Sequence, residues 1–228
     1  MNKPKQLTFP WNKVNKSLMQ GFYTSRENDH LVSLLKDGNF LDDLFIYGTK
    51  QSGKTFLLQA MCNSYSSVCK SSLYVPLKKV MNYGVEIFES LENIDLICID
   101  GIEQVISKIE WEKEIFNLIN KALISNSRLI FTSSKDLKSL NFLLPDLESR
   151  IKKIQSYELY PIDDKDIIDA LKYISQFKSI NLGDKEAKYL VTYSQRDISN
   201  LIQILESLDQ LSMEMKRKIT IPLIKEVI

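Results

Sequence analysis

Residues 48–55 read GTKQSGKT, directly after the apolar run LFIY at Leu44–Tyr47. A GxxxxGK[ST] stretch that leaves a strand and opens a helix is a phosphate-binding loop. Its glycines let successive backbone N–H groups turn inward, and the helix N-terminus adds partial positive charge. Gly48 and Gly53 permit the turn, Lys54 is expected to reach the β- and γ-phosphates, and Thr55 to hold Mg²⁺. Gln51, Ser52 and Phe56 complete the set expected around the nucleotide, which is ATP or ADP.

Outward from this loop the chain alternates between strand and helix patterns. The stretch 55–65 has helical apolar spacing, 72–77 (SLYVPL) reads as a second strand and 78–91 as a second helix. The run 94–99 (IDLICI) is apolar almost throughout and ends in Asp100, as suits a central parallel strand covered on both faces. An amphipathic helix over 111–124 and strands over 128–132 and 155–159 follow. Strands separated by helices of about a dozen residues imply crossovers and a parallel sheet. The expectation is therefore an α/β core with a five-stranded parallel sheet.

Past Pro161 the strand pattern stops. The stretches 163–177, 184–193, 197–211 and 221–228 all carry helical periodicity, with Asp163, Asp184 and Thr220 at N-cap places and Pro222 in a first turn. Three parts are expected: a tail over 1–20, an α/β nucleotide-binding core over 21–160 and an all-helical lid over 161–228.

The second half of a phosphate-loop site is an acid at the end of a neighbouring parallel strand, and Asp100 stands there to orient the magnesium shell. Many such ATPases carry a carboxylate at the next position to orient the attacking water. Here that position is Gly101, so hydrolysis by the chain itself is expected to be slow. Glu103 either substitutes or is a solvated glutamate of the turn.

Composition narrows the setting. Thirty Lys and Arg against 29 Asp and Glu give a net charge of +1, which offers no electrostatic case for strong nucleic-acid or membrane binding. No apolar run approaches the roughly 18 residues of a membrane span, and the N-terminus has no long apolar stretch of a secretory signal. Cys62, Cys69 and Cys98 lack metal spacing, and Cys62 and Cys98 read as buried free thiols, so a reducing cytoplasm is expected.

The order of these features resembles the AAA+ ATPases: phosphate loop, LICID at 96–100, a polar strand end FTSS at 131–134, LPDLESR at 144–150, then a helical lid. More narrowly it is similar to the DnaA-like initiator clade, and within it to regulators of Hda type. The stretches that carry this likeness are QLTFPW at 6–11, IDGIE at 99–103, LPDLESR and RKITIPLIKEV at 217–227.

The resemblance implies roles by position. Arg150 matches the arginine finger that points into a neighbouring subunit's nucleotide; the bland reading is a surface arginine paired with Glu148 or Asp146. Ser134, or Ser133, matches the sensor at the end of the fourth strand, or else caps the turn at Asp136. The lid's usual sensor arginine is replaced by Ser199, with Arg196 one turn earlier either reaching the phosphates or solvated, which leaves the choice between ATP and ADP open. Phe22 and Tyr23 match an aromatic pair at the base pocket, or pack on the core. Tyr173, Phe177, Tyr189 and Tyr193 read as lid core, and His30 as a residue of a surface helix.

Partners follow from the same likeness. Gln6, Leu7, Phe9, Pro10 and Trp11 resemble a motif that docks on the sliding clamp of the replicative polymerase, as an extended peptide with apolar anchors. Docked there, the chain is expected to promote hydrolysis of DnaA-bound ATP and so prevent re-initiation. It would act mainly as an activator of its partner, with weak ATPase activity of its own at most. Homo-oligomer formation stays open. The chain stops at Ile228, with no further helical domain, so sequence-specific DNA binding is not expected. The alternative is a DnaA-like ATPase or helicase loader acting directly on DNA.

Overall fold

The computed structural model describes residues 17–38, 40, 42–89, 91 and 93–228, so the stretch 6–11 lies outside the described residues. Five strands, β1 (Leu44–Tyr47), β2 (Ser72–Pro76), β3 (Leu96–Asp100), β4 (Arg128–Ser133) and β5 (Gln155–Glu158), form one parallel sheet in the order β2-β3-β4-β1-β5. The order corrects one expectation. Asp100 does not end the strand beside β1, because β4 lies between them. Burial accounts for this: Leu129, Ile130 and Phe131 of β4 are wholly buried and need cover on both faces, whereas the largely exposed β5 tolerates an edge.

Side chains alternate across the sheet and make two cores. Phe45, Ile97, Ile99, Leu129 and Phe131 face one way, toward α4 (Ile109–Ser125) and α5 (Pro145–Ile151). Leu44, Ile46, Leu96, Cys98 and Ile130 face the other, toward α1 (Asp29–Asp37) and α2 (Lys54–Ser67). Cys98 is buried, Cys62 half-buried, and all three cysteines are free.

Three stretches differ from the sequence reading. The helix expected over 78–91 is a single turn, α3 (Leu77–Val80), followed by a 3-10 turn at Val85–Phe88. Gly84 between them, at φ 99°, cannot continue a right-handed helix. The helix α5 carries no mark in the sequence, because it is short and opens on Pro145 in its first turn. The expected tail is already structured from Ser17. Asn63 donates to the Ser17 carbonyl (2.7 Å), and Ser17 and Met19 are buried.

Past Pro161 come α6 (Ile167–Phe177), α7 (Asp184–Tyr193), α8 (Ile198–Met215) and α9 (Ile221–Lys225). They share a separate core built on Leu171, Leu190, Leu201, Leu205, Leu208 and Ile224. Asp163 is not the cap of α6, which starts four residues later. Asp184 is the first helical residue, paired at 2.5 Å with Lys172, and Gly183 holds the cap place. Thr220 precedes α9 without a side-chain capping bond, and Pro222 lies in its first turn.

Of the four aromatic residues assigned to the lid core, Tyr189 packs against it and the other three lie outside it. Tyr173 and Phe177 are 40% and 38% exposed and face the N-terminal segment: the Tyr173 hydroxyl donates to the Gln20 carbonyl (2.6 Å), and Phe177 lies against Gly21. Tyr189 is half-buried against the lid core, and the exposed Tyr193 stacks on its ring with centroids 4.4 Å apart. His30 sits exposed on α1, near the Tyr157 ring.

Phe45 is fully buried on β1, between β4 and β5. Phe45→Ala should cost about 3–5 kcal/mol of stability, read as a lower urea midpoint with an unchanged slope. A change under about 1 kcal/mol would contradict the interior place of β1.

Candidate nucleotide site

The loop 48–53 leaves β1, an interior strand between β4 and β5, and is braced from three sides. Gly48 donates its N–H to the Ser133 carbonyl of β4 (3.2 Å), and a Cβ on Gly48 would stand 2.2 Å from the Leu159 carbonyl oxygen. Only glycine lets the loop pass so close to the chain that follows β5. On the outer side Phe22 lies over Gly53, and its ring meets Phe56 at 5.8 Å. Tyr23 packs edge-on against Tyr173 at 5.9 Å. Both members of the aromatic pair thus pack at the loop and the lid, and Phe22 borders the loop itself.

Lys54 curls over the loop. Its ammonium donates to the carbonyls of Gly48 (2.7 Å) and Thr49 (2.6 Å) and to the Ser52 hydroxyl (3.3 Å). Burial lowers its pKa, while the charges of Asp100 and Glu103 oppose that shift.

Asp100 is the hub of the site. Its Oδ1 accepts from the Thr132 hydroxyl (2.6 Å), and its Oδ2 from Thr55 (2.7 Å) and Tyr74 (2.7 Å). Burial first, then the Asp100 charge, pushes the Tyr74 phenol well above its ordinary range, so Tyr74 stays a donor. Thr55 and Asp100 offer a hydroxyl and a carboxylate in mutual contact. Such an all-oxygen set fits a hard divalent cation such as magnesium.

The position after Asp100 differs in backbone as well as side chain. Gly101 sits at φ 82°, a left-handed conformation that disfavours any side chain, and its N–H is held by Thr132. Glu103 comes back toward the site from a 3-10 turn at Ile102–Val105. Its Oε1 accepts from the Ser134 hydroxyl (2.7 Å) and N–H (3.1 Å), while its Oε2 is buried without a partner. Of the two candidate sensor serines, Ser134 therefore meets Glu103. Ser133 is buried in β4 and accepts from the Lys135 N–H. The turn at Asp136 is capped by its own carboxylate, not by Ser134.

From the lid, Asp197 caps α8 by accepting from the Ser199 N–H (2.9 Å), and its other oxygen accepts from the Gln51 amide of the loop (2.6 Å). Arg196 extends instead to Asp164, 3.8 Å away, and is largely exposed. Arg150 stands exposed in the last turn of α5. Glu148 is engaged by Lys152, and among the described residues no carboxylate pairs with Arg150.

Sequence reasoning missed Thr132 and Tyr74. Thr132 had a signal, a polar residue ending an apolar strand, but the serines beside it drew attention first. Tyr74 had none, since a tyrosine in SLYVP reads as core.

Residues 43–168 match the AAA domain family, and residues 163–228 match the Hda lid domain family. An uncharacterized protein of Haemophilus influenzae is 34% identical over 227 residues, covering 98% of each chain. Among solved structures, domain III of the Thermotoga maritima replication initiation protein DnaA superposes with a TM-score of 0.74 at 19% identity, covering 94% of this chain and 98% of that one. DnaA of Aquifex aeolicus bound to AMPPCP gives a TM-score of 0.68 at 21% identity, over 84% of this chain and 65% of that one. No described helix is long and apolar enough to cross a membrane. The chain belongs to the AAA domain family and carries the lid domain of Hda, which makes it a DnaA-like AAA+ protein of Hda type.

Proposed function

We propose that this chain is a nucleotide-binding regulator of replication initiation, which docks on the sliding clamp through Gln6–Trp11 and promotes hydrolysis of ATP bound to DnaA. The observation that carries the reading is Arg150: a guanidinium exposed, and unpaired among the described residues, at the end of a helix whose inner face is locked into the core by Leu147 and Ile151. A fixed cation offered to solvent suits a partner's phosphates better than its own chain's acids. Arginine meets phosphate oxygens with a planar fork that never loses its charge.

On this reading the chain's own nucleotide sets its conformation. The loop N–H groups and Lys54 receive the phosphates, Lys54 exchanging neutral carbonyls for charged oxygens, with Phe22 and Tyr23 toward the base. Thr55 and Asp100 would hold magnesium, which would supply positive charge to offset that of the phosphates. Gly101 leaves no carboxylate at the usual water-orienting position. Gln51 and Asp197 link the loop to the lid, so that occupancy of one bears on the other.

A second reading, a DnaA-like ATPase or loader acting on DNA, is favoured by Glu103, whose free carboxylate oxygen lies beside Ser134. Turnover stimulated many-fold by DNA would select it.

Lys54→Ala should weaken ADP and ATP binding about ten-fold or more, since a charge-assisted contact is worth about 1.5–3 kcal/mol; unchanged affinity by calorimetry would refute the phosphate loop. Leu7→Ala with Phe9→Ala should abolish clamp binding in a pull-down with purified clamp while leaving thermal unfolding intact. A double variant that binds as wild type would remove the clamp from the proposal. Arg150→Ala should keep its own ADP affinity and lose stimulation of hydrolysis by DnaA–ATP, with Arg150→Lys rescuing poorly. Fingers supplied in trans contribute about 10³–10⁵ in rate in well-studied GTPases, so even a partial analogue is measurable as ADP formed. Wild-type stimulation by Arg150→Ala would rule the finger out.

A further inference from the structure

One fully buried acid lies outside the nucleotide site and touches both parts of the chemistry proposed above. Glu112, in the first turn of α4, is 0% exposed. Its Oε1 accepts from the Ser107 N–H (3.0 Å) and its Oε2 from the Leu144 N–H (2.7 Å). A carboxylate is retained in a protein interior only where donors meet its oxygens, and among the described residues no cation does so here. The charge is instead spent on two backbone groups of two different loops, by bonds that are short and directional.

The identity of those loops is informative. Ser107 closes the turn that begins at Asp100 and carries Gly101 and Glu103, and it is itself held at φ 66°, a left-handed conformation that serine seldom adopts unsupported. Leu144 immediately precedes α5, at a cap position with no side-chain acceptor of its own. Leu147 and Ile151 decide which face of α5 turns inward, but apolar packing is non-directional and leaves a short helix free to tilt or slide. The bond to Leu144 pins its start.

We propose that Glu112 is a positioning residue for Arg150: it clamps the start of α5 to the turn carrying Glu103, so that the guanidinium is presented at one fixed place beside the core. This rests on the reading of Arg150 as a finger for a partner's nucleotide. It adds that the finger is set by a buried carboxylate about ten residues past the chain's own candidate site. A misplacement of about 1 Å in a catalytic group costs on the order of a hundred-fold in rate, so a clamp of this kind has a measurable effect.

The test uses the full chain. Glu112→Gln keeps the shape but turns an NH₂ toward one backbone N–H, so one of the two bonds is lost. Glu112→Asp keeps the charge but falls a methylene short of spanning both loops. Each is followed by hydrogen exchange of the α5 amides, by ADP affinity, and by hydrolysis of DnaA–ATP titrated with the regulator to saturation. The expected result is faster exchange at Leu144 and through α5 with the sheet still protected, and unchanged ADP affinity. The saturated rate should fall roughly ten- to a hundred-fold, with little change in half-saturating concentration.

Unaltered α5 exchange overturns the proposal whatever the activity. So does a loss of ADP affinity and stimulation in common proportion, or failure of both variants to fold, since Glu112 would then be merely structural. A fully active Glu112→Gln beside an inactive Arg150→Ala removes the clamp and leaves the finger. An Arg150→Ala that stimulates normally removes the finger, and the clamp's purpose with it.

Discussion

The carboxylate of Asp100, at the end of β3, is the constraint on which the rest of the site depends. It accepts hydroxyl protons from α2 (Thr55), β2 (Tyr74) and β4 (Thr132), so one charge joins the phosphate-loop helix to two strands on either side of it. A partly desolvated carboxylate needs such donors, and three oxygens converging on it satisfy it without any cation. The consequence is preorganisation. Thr55 is oriented at the helix start before any nucleotide arrives, and the loop before it is held by Gly48 against β4 and β5.

Around that hub the N-terminal segment and the lid meet. Residues 19–23 pack beneath Tyr173 and Phe177 of α6, Phe22 covers Gly53, and Asp197 at the start of α8 bonds Gln51. These contacts are few, polar or edge-on, unlike the aliphatic core inside the lid. Elements joined in this way can shift relative to one another at small cost.

The left-handed Gly101 separates two functions that many AAA+ sites combine. With no carboxylate at that position, the backbone turns sharply and brings Glu103 to Ser134 instead. The same turn runs on to Ser107 and through Glu112 to α5.

Much of this was legible from sequence because it rests on local chemistry. GTKQSGKT after LFIY can hardly be anything but a phosphate loop, since few other residue patterns satisfy the backbone turn and the charge together. Apolar runs long enough for parallel strands marked the first four, the polar 155–159 (QSYEL) was read as the fifth, and the change of period past Pro161 marked the lid. The likeness carried by LPDLESR and RKITIPLIKEV pointed to the family. What the tertiary structure alone decided was non-local. Placing β4 between β1 and β3 depends on how much of each strand must be covered, which no single strand reveals. Tyr74 and Glu112 look like core and surface residues respectively, because a side chain's hydrogen-bond partner 26 or 32 positions away leaves no trace in its own neighbourhood. Periodicity records which face of an element is buried; only the fold determines what that face meets.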